Sequence, residues 1–264
     1  MTHLLDVDSH FAFGENWRSF ARLIDPDRLK ASDAGIGRIF EPQELQGRTV
    51  LDIGSGSGLP AASLLRMGAT HVTCVDIDEN SVAATRQTLS GFAPHDAWTA
   101  EVASVFNLAG QYDVVYSWGV LHHTGDMRRA VRHAASLVKP GGLLAIALYA
   151  KTPLCRFWKV FKRVYSRAPR PAQNVAGAIY GCFASVLRTV ARRKSPTQVR
   201  ARGMNSSHDI HDWLGGYPYE SANLSDVQAM LPEFELIRVN RRYDPRTMGV
   251  LGSGCDEYVL RAPG

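Results

Sequence analysis

Hydrophobic and polar positions along this chain change their period several times, and each change predicts an element. Trp17, Phe20, Leu23 and Ile24 recur at helical spacing and predict one helix over 14–30. TVLDIG at 49–54 is a short β-branched run that predicts a strand. A glycine-rich turn follows, then a helix over Leu59–Met67, where Pro60 suits the first turn because no partner is needed for its missing N–H. HVTCVD at 71–76 predicts a second strand, and Asp78 caps a predicted helix over 79–90. AWTAEV at 97–102 and YDVVYSW at 112–118 predict a third and a fourth strand. MRRAVRHAASLV at 127–138 reads as a helix stopped by a KPGG turn at 139–142, before the buried-type strand LLAIALYA at 143–150.

Alternation of strand and helix up to residue 150 predicts a parallel sheet with helices on both faces. The pattern then changes. Residues 153–166 and 172–193 read as helices around the breaker APRPA at 168–172, and 194–222 reads as loop. Ser225 caps a short predicted helix to Leu231, and FELIRV at 234–239 and CDEYVLRA at 255–262 predict two closing strands. Four segments result: an amino-terminal helical cover (1–46), a core (47–150), a basic insert (151–222) and closing elements (223–264).

The chain has 264 residues, 45% of them hydrophobic and 21% charged, which is ordinary for a globular protein with one sizeable core. Asp6 and Asp8 interrupt any apolar leader, and no apolar run reaches the roughly 20 residues of a membrane span. Cys74, Cys155, Cys182 and Cys255 are far apart, which predicts reduced thiols in a cytoplasmic protein rather than a disulfide frame or a metal site.

LDIGSGSG at 51–58 is the sharpest signal for chemistry. Gly54, Gly56 and Gly58 permit a tight turn and close approach of a ligand to main chain. Asp76 ends the next predicted strand, where a carboxylate can accept hydrogen bonds from two ribose hydroxyls. A dinucleotide fingerprint needs glycines at positions one, three and six, but position six here is Leu59. Asp52, two residues before the first glycine, suits a ligand with a cationic end better than a pyrophosphate.

These residues resemble motif I of class I S-adenosylmethionine-dependent methyltransferases. VDID at 75–78 resembles their acidic loop, YDVVYSWGVLHHTGD at 112–126 their motif IV, and LVKPGGLLAIALY at 137–149 their strand-five motif. The ubiquinone-type O-methyltransferases are the nearest broad group. FGENW at 13–17, HDWLGGYPYE at 211–220 and GSGCDEY at 252–258 resemble a bacterial subgroup of mostly unassigned substrate. The resemblance implies a doubly wound, mostly parallel, Rossmann-like α/β sheet of seven strands, with an antiparallel last strand and a helical cap insert after strand five. It implies S-adenosyl-L-methionine as cofactor. Gly54, Ser55 and Gly56 would approach its ribose and methionine part, Asp52 its ammonium end, Asp76 the ribose hydroxyls and Ile77 the adenine face. Ser104 and Val105 would read the adenine edge, although the family often has Asp where Ser104 stands. Ser117 and Trp118 would touch the methionine portion, and Trp17 would cover the cofactor.

Methyl transfer from a sulfonium needs alignment and exclusion of water rather than a metal or a covalent nucleophile. A hydroxyl acceptor also needs a base. His122 and His123, just past the fourth strand, and His208 and His211, in HDIHDW, are the candidates. Trp213, Tyr217 and Tyr219 would line the acceptor pocket, with Gly215 and Gly216 allowing a lid. A small-molecule methyl acceptor, by oxygen or nitrogen, is the expected substrate. The rival readings are a membrane-associated quinone-precursor O-methyltransferase, an NAD-dependent oxidoreductase and a non-catalytic nucleoside-binding module.

The net charge of +5 is unevenly placed, since residues 151–202 hold thirteen Lys or Arg and no Asp or Glu. Within them, 172–187 carries no charge at all. A cap over an anionic acceptor, a peripheral membrane contact through 153–194 and a solvated helical insert all stay open for this segment. No nucleic-acid-reading motif accompanies the charge.

Overall fold

The computed structural model describes residues 13–191, 213–241, 249–250, 252 and 254–264. Seven strands form one sheet: β1 (Thr49–Ile53), β2 (His71–Asp76), β3 (Trp98–Val102), β4 (Tyr112–Trp118), β5 (Val138–Tyr149), β6 (Glu235–Asn240) and β7 (Cys255–Arg261). Their order is β3-β2-β1-β4-β5-β7-β6. Strands β1 to β5 pair in parallel, whereas β7 runs antiparallel to both β5 and β6. The expected doubly wound, mostly parallel seven-stranded sheet with an antiparallel last strand is therefore the observed one.

The helices around it include α1 (Phe13–Ala21), α2 (Pro26–Ile36), α3 (Pro42–Leu45), α4 (Leu59–Arg66), α5 (Glu79–Phe92), α6 (Met127–Ser136), α7 (Cys155–Arg167), α8 (Arg170–Ala191) and α9 (Leu224–Met230). Side chains alternate across the central strands. Leu51, Val115, Leu144 and Ile146 pack with Val131 of α6 and Val227 of α9 on one face. Val50, Val114, Tyr116 and Ala145 pack with Phe20, Ile36 and Leu64 on the other. A smaller cluster of Tyr149, Trp158, Tyr165, Leu214 and Tyr219 joins the end of β5 to α7 and to the segment after residue 212.

Three readings need correction. The single helix over 14–30 is two helices, because Asp25 is extended, caps the Arg28 N–H and is followed by Pro26, which starts α2. KPGG is not a turn outside the strand. β5 begins at Val138 opposite Tyr112, and the pairing then skips to Val114–Leu143, so the motif is a bulge within β5. Asn223, not Ser225, caps α9 by accepting the Asp226 N–H, while the Ser225 hydroxyl donates to Asn223 Oδ1 at 2.8 Å. The remaining elements fall within a few residues of their predicted ranges.

The order reverses between β1 and β4: β2 and β3 lie to one side, and β5 to the other. The carboxyl ends of such strands open a crevice where α/β sheets bind ligands. Asp113, at the start of β4, closes the opposite end by accepting from Thr49 N (3.0 Å), Thr49 Oγ1 (2.6 Å) and Lys139 Nζ (3.0 Å).

Candidate functional site

The glycine loop sits at that crevice. Gly54 N and Ser55 N donate to Val75 O at 2.7 and 3.1 Å, which ties the loop to the end of β2. Gly54 has φ 78°, and a Cβ there would stand 2.3 Å from a Val120 methyl. Gly56 has φ 53°, and its Cβ would press on the Trp17 indole at 3.1 Å. Only glycine fits either place.

Two carboxyl groups face this loop. Asp76 accepts from Gly56 N and from Asp78 N, both at 3.0 Å. Burial pushes its carboxyl up to about 6, against the pull of those backbone donors. Asp52 is 2% exposed, and its Oδ2 has no hydrogen-bond partner. Burial, and behind it the charge of Asp76, push the Asp52 carboxyl up to about 8. Two buried carboxyls with raised pKa values, one of them with an unpartnered oxygen, make this crevice a candidate site. Beside them Ile77 is 48% exposed, an apolar side chain left at the rim.

Helix α1 closes over the loop. Gly14 N donates to Asp78 Oδ2 at 3.0 Å, and a Cβ on Gly14 would collide with that carboxylate at 2.2 Å. Arg18 donates to Asn80 Oδ1 at 3.1 Å. Asp78 thus serves twice, since it also caps α5 through the Asn80 N–H, as its position in sequence predicts. These contacts set the Trp17 ring over Gly56, where the resemblance places a cover. Gly14 escaped the sequence reading. A glycine in the first turn of an exposed helix is the signal that something approaches its backbone.

The remaining expected cofactor residues divide by what their side chains do. Ser104 caps a 3₁₀ turn at 105–107, accepting from Phe106 N at 3.4 Å. Val105 turns its side chain into the core. The Ser55 hydroxyl bonds Thr85 Oγ1 at 2.9 Å. Ser117, fully buried, donates to Ile53 O at 2.9 Å and stitches β4 to β1. Trp118 Nε1 donates to Glu257 Oε1 at 3.0 Å, which fixes its ring across the ends of β5 and β7.

The two histidines after β4 are held differently. His122 is fully buried, and its Nδ1 accepts the Tyr149 N–H at 3.4 Å. Burial, with the charges of His123 and Lys162 behind it, holds its pKa well below the usual imidazole value. The ring is therefore neutral with its proton on Nε2. His123 bonds Pro218 O through Nδ1 at 2.7 Å. A carbonyl can only accept, so His123 Nδ1 carries a proton. Both rings lie against Tyr149, with centroids 3.9 and 5.2 Å away. Trp213 and Tyr219 meet the same ring at 5.1 and 5.3 Å. Tyr217 is partly buried nearby in sequence. His208 and His211 lie outside the described residues.

Sequence reading also missed Lys162. One of the thirteen basic residues of 151–202, it is fully buried with Trp158 and Tyr165 on the inner face of α7. Their spacing of four and three residues was the available signal.

A methyltransferase-domain family model matches residues 51–144, the stretch that contains the glycine loop, both acidic residues and the two histidines. Around that domain, the chain is 36% identical over 161 residues to the ubiquinone biosynthesis O-methyltransferase of Xanthomonas oryzae pv. oryzae (strain PXO99A), covering 57% of this chain and 63% of that protein. It is 36% identical over 113 residues to the protein of the same name from Rhizobium etli (strain CIAT 652), covering 42% and 45%. The chain thus spans between about half and two thirds of the length of these curated relatives. The magnesium protoporphyrin IX methyltransferase of Synechocystis PCC 6803 with bound SAH superposes with a TM-score of 0.54 at 18% identity, over 89% of this chain and 83% of that one. The N-methyltransferase NodS of Bradyrhizobium japonicum WM9 gives 0.52 at 12% identity, over 91% and 99%. Likeness at that identity concerns the fold around the domain.

Proposed function

We propose that this chain is an S-adenosylmethionine-dependent methyltransferase acting on a small molecule, at oxygen in preference to nitrogen. The observation that carries this reading is the buried Asp52 carboxyl with an unpartnered oxygen, set beside a cradle that only glycine can form. That donor set fits a cationic nucleoside: Asp52 would take the ammonium end, and Asp76 the ribose hydroxyls. Gly54, Ser55 and Gly56 would approach with main chain, Ile77 would offer its exposed side chain to the base, and Ser104 with the Val105 backbone would meet the base edge. Ser117 and Trp118 would back the methionine part, and Trp17 would cover it. Bound there, the cofactor supplies a methyl group already activated on sulfur. A pyrophosphate would meet two carboxylates in a medium of low dielectric, which disfavours the dinucleotide alternative.

His123 is the better base of the described pair. With Nδ1 donating to Pro218 O, Nε2 is the ring atom that would take the acceptor's proton, whereas His122 offers an N–H and would hold an acceptor oxygen instead. Residues 151–222 would cover the acceptor, with Trp213, Tyr217 and Tyr219 as lining. The direct test is transfer of a labelled methyl group from S-adenosylmethionine into a metabolite extract, read by mass spectrometry. Cofactor binding without any labelled product would favour a non-catalytic nucleoside-binding module.

A second reading concerns the acceptor. The likeness to ubiquinone biosynthesis O-methyltransferases supports a quinone precursor, and one observation favours a lipid surface. Phe157, Val160 and Val164 of α7 and Val175, Ile179 and Phe183 of α8 are each at least 48% exposed. Exposed Arg156, Lys159 and Arg163 stand among them. An apolar face edged by cations suits an anionic bilayer surface. No helix among the described residues is long and apolar enough to cross a membrane. Co-sedimentation with phosphatidylglycerol vesicles, compared with neutral vesicles, tests this contact. Serine at Phe157, Val160 and Ile179 should release the protein.

A further inference from the structure

Four residues stand in register across the sheet, one on each of β4, β5, β7 and β6. Trp118 pairs with Ala147, Ala147 with Glu257, and Glu257 with Asn240. Ala147 carries only a methyl group, so the Trp118 indole can lie across β5, and its Nε1 donates to Glu257 Oε1 at 3.0 Å. Asn240 Nδ2 donates to the other oxygen, Oε2, at 3.4 Å and to Arg38 O at 3.0 Å. The Glu257 carboxyl is thus held at both oxygens.

The two ends of this row lie in different surroundings. Glu257 is 2% exposed, whereas Trp118 is only partly buried and ends β4 at the crevice. Two residues on, Val120 already lies against the glycine loop at Gly54. Trp118 packs on two apolar clusters, one with Phe20 and Ile36, the other with Tyr149 and Trp158. Apolar contact alone lets a flat ring slide, and a hydrogen bond at one edge selects its rotamer. Burying a carboxyl is costly, and an apolar side chain of similar volume is often at least as stable in its place. Stability therefore explains Glu257 poorly, and orientation of the indole explains it well.

We infer that Glu257 is a positioning residue, which holds the Trp118 indole in one orientation as a wall for the amino-acid end of the cofactor. The inference rests on the methyltransferase reading, which sets Trp118 behind the methionine part. It adds to that reading a residue 139 positions away in sequence, on another strand. Glu257 acts through the indole rather than on the ligand. Asn240 steadies the carboxyl from β6, the strand at the edge of the sheet. A purely structural tie from β4 to β6 is the competing account, and it predicts equal damage to every ligand of the site.

The test uses the full chain and two ligands, S-adenosylhomocysteine and adenosine. Both carry the nucleoside, and only the first has the amino-acid end. Calorimetry reads the first ligand, and competition against it reads the second. Glu257→Leu frees the indole and should weaken S-adenosylhomocysteine about five- to tenfold, with adenosine within about twofold of wild type. Glu257→Gln keeps an oxygen acceptor for Trp118 Nε1 and should hold S-adenosylhomocysteine within about threefold of wild type. Trp118→Phe keeps a ring and loses the N–H, so it should match Glu257→Leu, and the double variant should bind no more weakly than either single one. A folded Glu257→Leu protein that binds S-adenosylhomocysteine as wild type does overturns the inference. So does one that loses both ligands equally. If Glu257→Leu does not fold, unchanged S-adenosylhomocysteine affinity in Trp118→Phe overturns it instead. A wild-type protein that binds neither ligand sinks the methyltransferase reading and this inference with it, whereas unchanged variants of a wild type that binds both sink the inference alone.

Discussion

Replacing Asp52 by Asn should make the ligand-free protein more stable while weakening its hold on the cofactor. The Asp52 carboxyl rises from 3.8 to about 8 on folding, because burial strips its charge of water and Asp76 lies close. An acid whose pKa is raised in the folded state contributes its stability in full below the unfolded value, and loses it as pH rises through the folded one. Folding at pH 7 therefore takes up a proton across about three pH units, at about 1.4 kcal/mol each, a ceiling of about 4 kcal/mol. Asn occupies the same volume and has no proton to take up, so the variant should gain about 2–4 kcal/mol at pH 7. At pH 5 the gain should shrink to about 1–2 kcal/mol, and above pH 8 it should level off. Urea denaturation at pH 5, 7 and 8.5, with equal slopes for both proteins, reads these differences. The variant should also bind S-adenosylhomocysteine about 30- to 100-fold more weakly, since a charge-assisted hydrogen bond contributes about 2–3 kcal/mol. A variant no more stable than wild type at pH 8.5, or one that binds the nucleoside as tightly, would refute this account of Asp52.

Three further outcomes follow from the same geometry. Gly54→Ala forces a side chain into left-handed backbone and onto Val120, and should cost about 2–5 kcal/mol in chemical denaturation with loss of nucleoside binding. Asp113 is held down to about 2: burial raises it, but hydrogen bonds from Thr49 and then Lys139 outweigh that cost, so its contribution is present above pH 4 and vanishes as pH falls through about 2. Asp113→Asn should cost about 2 kcal/mol at pH 7, and almost nothing near pH 2, by the same denaturation series. His123→Ala should lower kcat for an oxygen acceptor by about 10²–10⁴ without moving the S-adenosylhomocysteine affinity, whereas unchanged turnover would remove His123 as base.

Much of the fold was legible because strands and helices alternate with clear periods up to residue 150. The misses have local causes. Asp25 and Pro26 break a helix whose apolar spacing continues on either side, so periodicity alone ran through the break. KPGG looks like punctuation, yet strand pairing absorbs it as a bulge. In the site, Asp52, Gly54, Gly56 and Asp76 could be read from spacing, because a glycine turn between a strand and a helix has few uses. Lys162 could not be read by residue type, since lysine at a helix surface is the ordinary case and only its place on the Trp158–Tyr165 face marks it as buried. Gly14 and the bond from Trp118 to Glu257 depend on which segments meet in space, and no local pattern records that.

The central claim is that the glycine loop and Asp76 grip a nucleoside with a cationic tail. Calorimetric titration of S-adenosylhomocysteine into wild type and Asp76→Ala tests it most directly. The account predicts saturable one-to-one binding by the wild type, weakened about 30-fold or more in the variant. A folded wild-type protein that gives no saturable heat with S-adenosylhomocysteine or S-adenosylmethionine, or a variant that binds as well as wild type, would contradict it.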